Sequence, residues 1–349
     1  MRALLSHLFE EWLFYLSLFL AVVFSIAAKG LPQISADEWR VLFILWLFLV
    51  LVKGLKVSGV LDSVAARFSG GRFLGLKLVL LAGLLSLFIT NDVALFVVVP
   101  LTLAVGGERV LDLVILETVA VNGLSAVSPI GNPQNIFIFH KFNLSLGEFI
   151  GAILPFGLAV LLVLLFLTPK ELPSQTVKRE VRLKRPLIHL FLFFLFIPVA
   201  LKILPLWAGF LPLLYALFFE RELLKVDYYL LGTFLFFFAF TDNLSKLLTL
   251  HLSGPLSVFL SSALLSQVMS NVPAALLVSE FTGRWRELLW GVSVGGFGTI
   301  VASMANLIAY RLYKEWKGEG GEFLKRFHVY NFFLFFTFLI LGLLELQRG

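Results

Sequence analysis

The sequence has 349 residues, of which 59% are hydrophobic and 14% are charged, with a formal net charge of +6. Its 38 phenylalanines and mean hydropathy of +0.96 exceed the apolar share of soluble domains and predict an integral membrane protein. The absence of cysteine excludes disulfides, thiolate metal ligands and cysteine nucleophiles. The five histidines have no ligand spacing, so we expect no fixed metal site.

Nine apolar segments are predicted to be full transmembrane helices, because about 20 apolar residues in a helix cross the ~30 Å of hydrocarbon in a bilayer. The predicted spans are residues 8–28, 39–57, 110–139, 147–168, 187–204, 206–219, 227–250, 287–310 and 329–346. Residues 73–105 and 255–282 are also apolar, but TND and SNVP interrupt their centres, which predicts two re-entrant helical hairpins. We therefore expect an all-α polytopic membrane protein.

Basic residues set the predicted orientation. The linker 169–186 contains six basic residues and two glutamates, and the positive-inside rule places such a segment in the cytoplasm. Counting spans from this linker puts the N-terminus in the cytoplasm and the C-terminus outside. The net charge is therefore interpreted as a topology signal of a multi-pass protein in the cell (inner) membrane, and no nucleic-acid partner is expected.

The two halves of the chain repeat each other. LLSLFITNDVALFVVVPLT aligns without a gap to LLSQVMSNVPAALLVSEFT, pairing Asn91 with Asn271. NGLSAVSPIGNPQNIFIF matches GGFGTIVASMANLIAY once two residues are gapped, pairing Asn135 with Asn306. The first repeat comprises residues 1–168, with an N-terminal helix, the hairpin 73–105 and a broken helix at 110–139; the second comprises 187–349, with the hairpin 255–282 and a broken helix at 287–310. The predicted topology inverts the repeats, which is typical of secondary transporters.

The interrupted segments form the predicted site. A broken helix persists in a bilayer where it lines a wet cavity or is buried in protein. Half-helix N-termini suit an anion, and unwound carbonyl groups can bind sodium. The predicted substrate or ion ligands are Thr90, Asn91, Asp92, Asn122, Ser125, Ser128, Asn132, Asn135, Ser270, Asn271, Thr299, Ser303 and Asn306. The alternative is that these polar residues serve helix packing alone. No organic cofactor is expected, and Na+ is the candidate coupling ion at Asn91, Asp92 and Asn271.

Three acidic residues are candidates for coupling transport to an ion gradient. Asp92 interrupts an apolar run at a cost of about 2.5 to 3.5 kcal/mol, and its repeat partner is Val272, so the backbone geometry does not require a carboxylate. The hypothesis is that Asp92 binds a cation or carries a proton; the alternative is that it caps a helix. Glu117 is a second candidate, with an ion pair as its alternative. Asp242, near a span end, is the third.

Four segments carry a resemblance to a known family. TNDVALFVVVPLT, SAVSPIGNPQNIFIF, SQVMSNVPAALL and GGFGTIVASMANLIAY resemble the paired signatures of the ArsB/NhaD permease group of the ion transporter superfamily. The resemblance implies inverted repeats, asparagine at both hairpin tips, elevator-like alternating access and frequent assembly as homodimers. The dicarboxylate branch carries Ser-Asn-Thr at both tips, and this chain departs from it with TND and SNV. Aspartate beside asparagine resembles the arsenite-efflux and sodium/proton antiporter branches more.

These observations predict a secondary active transporter that moves a small inorganic anion or oxyanion, such as an arsenite-like species, with a proton or sodium gradient. The lipid bilayer and the small ion are its expected partners. The first alternative is a sodium/proton antiporter in which Asp92 is the exchanging carboxylate. The second alternative is a sodium-coupled dicarboxylate carrier. An intramembrane enzyme or a scaffold is the alternative from a different class, but the sequence lacks HExxH and GxSxG.

Overall fold

The computed structural model describes residues 11–68, 72–169, 183–247 and 251–347. Within these ranges the regular elements are helices, and no strand is present. The α-helices are α1 (Trp12–Ala27), α2 (Ala36–Val57), α3 (Val60–Phe68), α4 (Leu74–Ser86), α5 (Asn91–Val105), α6 (Val110–Ser125), α7 (Pro133–Lys141), α8 (Leu146–Leu167), α9 (Pro186–Ala200), α10 (Phe210–Phe219), α11 (Tyr228–Leu247), α12 (Pro255–Met269), α13 (Asn271–Ser279), α14 (Trp285–Gly295), α15 (Met304–Lys317) and α16 (Gly321–Leu346). Short 3-10 helices cover Leu206–Gly209, Arg221–Leu224 and Ile300–Ala302.

Local capping signals determine where two long helices begin. At α2, the Glu38 N–H donates to Ser35 Oγ at 3.2 Å and the Ser35 N–H donates to Glu38 Oε2 at 2.6 Å. Ser145 and Glu148 form the same reciprocal capping box at α8. Because each box satisfies two N–H groups that lack partners within the helix, it marks the first turn. The capping box starts α2 at residue 36, three residues before the predicted span.

Helix length tests the predicted membrane spans. Three described segments are long and apolar enough to cross a membrane alone: Leu146–Leu167, Arg221–Leu247 and Gly321–Leu346. The pair α2 and α3, bent by 60°, adds a fourth if it is counted as one span. Polar interruptions divide the hairpins and broken helices into shorter apolar pieces. The all-α membrane fold with broken helix pairs is therefore confirmed, while the number of nine crossings stays a prediction.

Some predicted boundaries were wrong. The segment between the predicted spans 287–310 and 329–346 is largely helical: α15 continues to Lys317, Gly318 ends it in a left-handed conformation (φ +85°), and α16 begins at Gly321. The predicted span 187–204 extends past the end of its helix: α9 ends at Ala200, and Lys202 has a left-handed φ of +61°. Residues 8–10 and 248–250 of the predicted spans, and 170–182 of the predicted linker, lie outside the described residues.

Helix packing brings the hairpins and broken helices together. The first hairpin consists of α4 and α5, and the second consists of α12 and α13. α4 packs closely on α6, and α12 packs in the same way on α14. The return arm of each hairpin contacts the far part of the opposite broken helix, α5 against α15 and α13 against α7. All 16 residues of α6 are buried, as expected of a helix at the centre of the molecule.

A second group of helices lies beside the hairpins. α1 packs on α11, and α2 contacts α9, α10 and α11. This group meets the repeats where α2 contacts α7 of the first broken helix and where α11 contacts α13 of the second hairpin. The fold thus places α2 and α11 beside the parts of the two repeats that contact each other.

Candidate functional site

Four helix N-termini surround the interrupted segments. α5 and α13 begin at the hairpin-tip residues Asn91 and Asn271. In the two broken helices, Asn132 caps α7 and Ser303 caps α15, each with an extended backbone and a side chain that accepts a helix N–H. Asn132 and Ser303 also occupy matching positions in the two repeats. The same local geometry therefore recurs in both halves, as the sequence repeat predicts.

Asn122, near the end of α6, joins the two halves. Its Oδ1 accepts hydrogen bonds from Asn91 Nδ2 at 3.2 Å and from Ser303 Oγ at 2.9 Å. Its Nδ2 donates to Asn306 Oδ1 at 2.7 Å and to the Gly296 carbonyl at 3.4 Å. An amide side chain offers two acceptor positions and two donor hydrogens. All four are occupied, and three of the four partners come from the opposite half of the chain.

The second hairpin tip reaches the same place. A Cβ atom added to Gly296 would lie 3.4 Å from Asn271 Nδ2 and 3.8 Å from Asn122 Cβ. The Asn271 amide thus lies beside the Asn122 network, within reach of a shared small ligand. Its neighbour Ser270 has φ +75° and ψ 154°, a region that costs a non-glycine residue roughly 1–3 kcal/mol and is often found at functional sites.

In the first broken helix, one asparagine side chain satisfies the exposed carbonyl groups. Asn135 Nδ2 donates to the carbonyl oxygens of Ser125, Ala126 and Ser128 at 2.9 to 3.2 Å. Asn132 Nδ2 donates to Ser125 Oγ at 3.2 Å. The Asn135 Oδ1 atom is buried without a hydrogen-bond partner. The unwound carbonyls are therefore held in place by protein, and one amide oxygen remains available to a ligand.

The second broken helix uses a residue that the sequence analysis missed. Gln267 Nε2 donates to the carbonyl oxygens of Gly295 and Phe297 at 3.0 Å, and its Oε1 accepts the Thr299 N–H at 2.9 Å. Thr299 Oγ1 in turn donates to the Gln267 carbonyl at 2.8 Å. The alignment that singled out Asp92 contains the signal for Gln267, because its repeat partner is the apolar Leu87.

Asp92 lies in the first turn of α5, whereas Thr90 occupies the N-cap position. The Asp92 N–H donates to Asn91 Oδ1 at 3.0 Å, and the carboxylate atom Oδ1 is buried without a hydrogen-bond partner. The alternative interpretation of Asp92 as the N-cap is therefore wrong. The carboxylate lies one residue from the asparagine network and keeps a buried oxygen that no donor among the described residues satisfies.

Glu117 is fully buried in α6 and is bonded to another residue that the sequence analysis missed. Thr102 Oγ1 donates to Glu117 Oε1, while Oε2 is buried without a partner. Within the described residues no cation forms an ion pair with Glu117, so the ion-pair alternative finds no support. Asp242 lies apart from the network: its Oδ2 accepts from the Gln33 N–H at 2.8 Å and from Lys246 at 2.5 Å.

Gly131, in the first broken helix, permits close backbone contact. A Cβ atom here would lie 2.3 Å from the Ser125 carbonyl oxygen and 2.9 Å from that of Ser86. We expect Gly131→Ala to push the broken helix away from the hairpin, to lower stability by about 1–3 kcal/mol and to reduce transport strongly. Thermal unfolding in detergent and flux in proteoliposomes measure both effects. The matched control is Gly151→Ala, which meets no atom within 4 Å; equal effects of the two substitutions would contradict the prediction.

A polytopic helical membrane protein with two hairpin tips and two broken helices around one buried polar network is a membrane transporter. The family model for citrate transporters (CitMHS) matches residues 12–295, and the chain belongs to this family of the ion transporter superfamily.

Two relatives agree with this assignment. The chain is similar to the uncharacterized transporter MJ0456 of Methanocaldococcus jannaschii, with 33% identity over 79% of this chain and 81% of that protein. It is also similar to the inner membrane protein YbiR of Escherichia coli, with 35% identity over 95% of this chain and 93% of that protein. The prediction of a membrane transporter rather than an enzyme is confirmed; the narrower ArsB/NhaD resemblance stays a prediction.

Proposed function

We propose that this protein is a secondary active transporter that moves a small inorganic anion or oxyanion with a proton or sodium gradient. The observation that carries the proposal is the buried network of Asn91, Asn122, Ser303 and Asn306, which links a hairpin tip to both broken helices. In this proposal the substrate binds beside the network, and movement of the two hairpins exposes it to alternate sides.

The uncapped hairpin tips support an anion as the substrate. Thr90 and Ser270, the N-cap residues of α5 and α13, accept no hydrogen bond with their side chains from these helices. Asn132 and Ser303, by contrast, do cap α7 and α15. At α5 the Asp92 N–H is already bonded to Asn91 Oδ1; the remaining first-turn N–H groups and the positive end of the helix dipole stabilise a negative charge. The starts of α5 and α13 are thus better placed to bind an anion than the side-chain-capped starts of α7 and α15.

The neutral character of the network supports a small anion of low charge. The side-chain partners of Asn91, Asn122 and Asn306 are amides, a hydroxyl and backbone groups. A multiply charged carboxylate loses more hydration on burial for every charge it carries, and a neutral site returns little of that free energy. Citrate, the substrate in the family description, is therefore the natural comparison for any screen.

Buried oxygens without partners support coupling to a cation. Asp92 Oδ1 lies at the first hairpin tip and Asn135 Oδ1 lies in the first broken helix. Glu117 Oε2 lies in the middle of α6, before Asn122. Carboxylate and amide oxygens suit sodium, and an intramembrane carboxyl group is also the usual carrier of a proton. A sodium/proton antiporter with Asp92 as the exchanging group is the second candidate, favoured by that unpartnered carboxylate oxygen.

Reconstitution in liposomes tests the proposal. We would screen arsenite, phosphate, sulfate, dicarboxylates, citrate and sodium under imposed proton and sodium gradients. Anion flux that requires a gradient supports the proposal, and sodium-dependent proton movement with no anion effect supports the antiporter. Absence of any solute movement under every gradient would contradict both. The cytoplasmic N-terminus, the outer C-terminus and the homodimer stay predictions, which accessibility labelling and mass measurement in detergent address.

Glu117→Gln tests proton transfer along α6. The substitution keeps an oxygen that accepts from Thr102 Oγ1 but removes the exchangeable acidic proton. We expect proton-driven flux to fall about tenfold or more with thermal stability preserved, as for a carboxyl group on a proton path. The control is Asp112→Asn on the same helix, which breaks a 2.8 Å pair with Arg326 and should affect stability rather than coupling. Unchanged flux in Glu117→Gln would exclude the relay.

A further inference from the structure

Two cavities lie at opposite ends of the contact between α2 and α11. The first, of about 280 Å³, is lined by the C-terminal part of α2, by Val93 of α5 and by the segment that leads into α11. The second, of about 330 Å³, is lined by the N-terminal part of α2, by α7 and by residues near the ends of α11 and α13. By the predicted topology, the first cavity faces the cytoplasm and the second faces outside.

The charges of the two cavities have opposite signs. Lys53, Lys56 and Lys225 line the first cavity, with Asp227 as the acidic residue. The second cavity has the reverse balance: its acidic residues are Asp37, Glu38, Asp242 and Glu280, and its basic residue is Lys141. An anion is therefore attracted to the first cavity and repelled from the second. Both cavities border the same pair of helices, α2 and α11. The difference in sign therefore reflects where individual charged residues lie and not the net charge of the protein.

The ammonium groups of the first cavity are incompletely neutralised. Lys53 Nζ donates to the backbone carbonyl of Lys225, and Lys56 Nζ lies 5.2 Å from the centroid of the Phe96 ring. Neither Lys53 nor Lys56 forms an ion pair with a carboxylate of the described residues, whereas Lys225 Nζ pairs with Glu222 Oε1 at 2.7 Å. Asp227, the acidic group in this cavity, accepts the Leu230 N–H at 3.0 Å and thereby caps α11. The positive charge available to a mobile ligand in this cavity is thus that of Lys53 and Lys56.

The first cavity reaches the hairpin tip. Val93, which lines it, follows Asp92 in the first turn of α5. Two residues before Val93, Asn91 donates to the central Asn122. The cavity wall at Val93 is therefore within one helical turn of the N-terminus of α5, and Lys56 lies over the ring of Phe96 in the second turn. No other part of the proposed site contains a lysine, so the cavity supplies the charge that the neutral network lacks.

We propose that Lys53 and Lys56, with the ion-paired Lys225 beside them, form a loading site that collects the transported oxyanion from the side of the basic loops and passes it to the first hairpin tip. The inference rests on the proposed function and adds a residue-level site and a side of entry. Lysine ammonium groups are hydrated point charges without the fixed fork of arginine, so they suit transient attraction better than tight binding. The loading site accordingly governs the apparent affinity rather than the turnover at saturation.

The test compares two variants in proteoliposomes of pure phosphatidylcholine, with radiolabelled phosphate or sulfate, whichever the wild type transports. The double variant Lys56→Gln/Lys225→Gln removes two charges from the cavity and leaves the Lys53 hydrogen bond to a backbone carbonyl in place. The matched control is Lys314→Gln: its ammonium also lies over an aromatic ring, 5.8 Å from the centroid of Tyr310, but on α15 outside the cavity.

We expect the double variant to raise KM for the oxyanion by about threefold to tenfold at low ionic strength, with kcat unchanged. Salt should raise the wild-type KM toward that of the variant, and Lys314→Gln should behave as wild type. An unaltered KM in the double variant or an equal rise in Lys314→Gln would overturn the loading site. Absence of oxyanion flux in the wild type would instead overturn the proposed function itself.

Discussion

Replacing Asp92 with asparagine is expected to reduce gradient-driven transport strongly while leaving the protein folded. Asn91 and the start of α5 keep their hydrogen bonds, because the Asp92 backbone N–H, not its side chain, donates to Asn91 Oδ1. The substitution removes a charged ligand whose contacts are worth about 1.5–3 kcal/mol, which corresponds to roughly a 10- to 100-fold loss of coupled flux. Flux under an imposed proton or sodium gradient is the measurement.

Thermal unfolding separates this result from misfolding. A buried carboxylate with an unpartnered Oδ1 atom is costly, so Asp92→Asn should be at least as stable as the wild type. Asp242→Asn is the control, because that carboxylate bonds to Gln33 and Lys246 away from the asparagine network and should change flux less than about twofold. Near-normal coupled flux in Asp92→Asn would leave Asp92 with a structural role alone.

The sequence predicts the polar positions well for a physical reason. In a chain with 59% hydrophobic residues, an asparagine or a proline inside an apolar run is costly to bury, so it is informative wherever it occurs. The hairpin residues Asn91 and Asn271 and the broken-helix residues Asn135 and Asn306 all occupy interruptions between helices or the first turn after them. Their recurrence in two halves of one chain is the reason to predict a role for them beyond packing.

The partners of these residues were not predictable in the same way. Asn122 bonds to Gly296, Ser303 and Asn306, which lie 174 to 184 positions later in the chain. Nothing in local propensity encodes which polar groups meet when two hairpins pack. Gln267 was missed although its pairing with the apolar Leu87 repeats the asymmetry that singled out Asp92. Thr102 was missed because a single threonine in an apolar helix usually bonds to its own backbone. Thr102 bonds instead to Glu117, on the next helix.

Helix boundaries show the same division between local and tertiary signals. The capping box of Ser35 and Glu38 is formed by residues close together in the sequence. The start of α2 could therefore be predicted more accurately from this capping signal than from the length of the apolar run. The helical character of residues 321–328 has no such signal, because charged residues there resemble a loop. Phe323 and Phe327 of this segment are fully buried, and this tertiary packing sustains the helix.

Asn122→Ala should cause the largest combined loss of stability and transport among substitutions of neutral residues in the network. It leaves Asn91 Nδ2, Ser303 Oγ and Asn306 Oδ1 without their partner in a buried environment. Each buried polar group without a partner costs about 1–3 kcal/mol, so the thermal midpoint should fall by at least about 5 °C. Because the same bonds join the two halves of the chain, coupled flux should be lost with them.

Asn331→Ala provides the matched control for this prediction. Asn331 is also a fully buried asparagine, but its Nδ2 donates to the Phe327 carbonyl of its own helix at 3.1 Å and its Oδ1 has no partner. Removal of this amide breaks one hydrogen bond within the helix and leaves no other side chain without a partner. The thermal midpoint should therefore shift by less than about 2 °C, and flux should persist. If both asparagines respond alike, burial rather than the link between the halves explains the loss at Asn122, and the central role of the network in transport is contradicted.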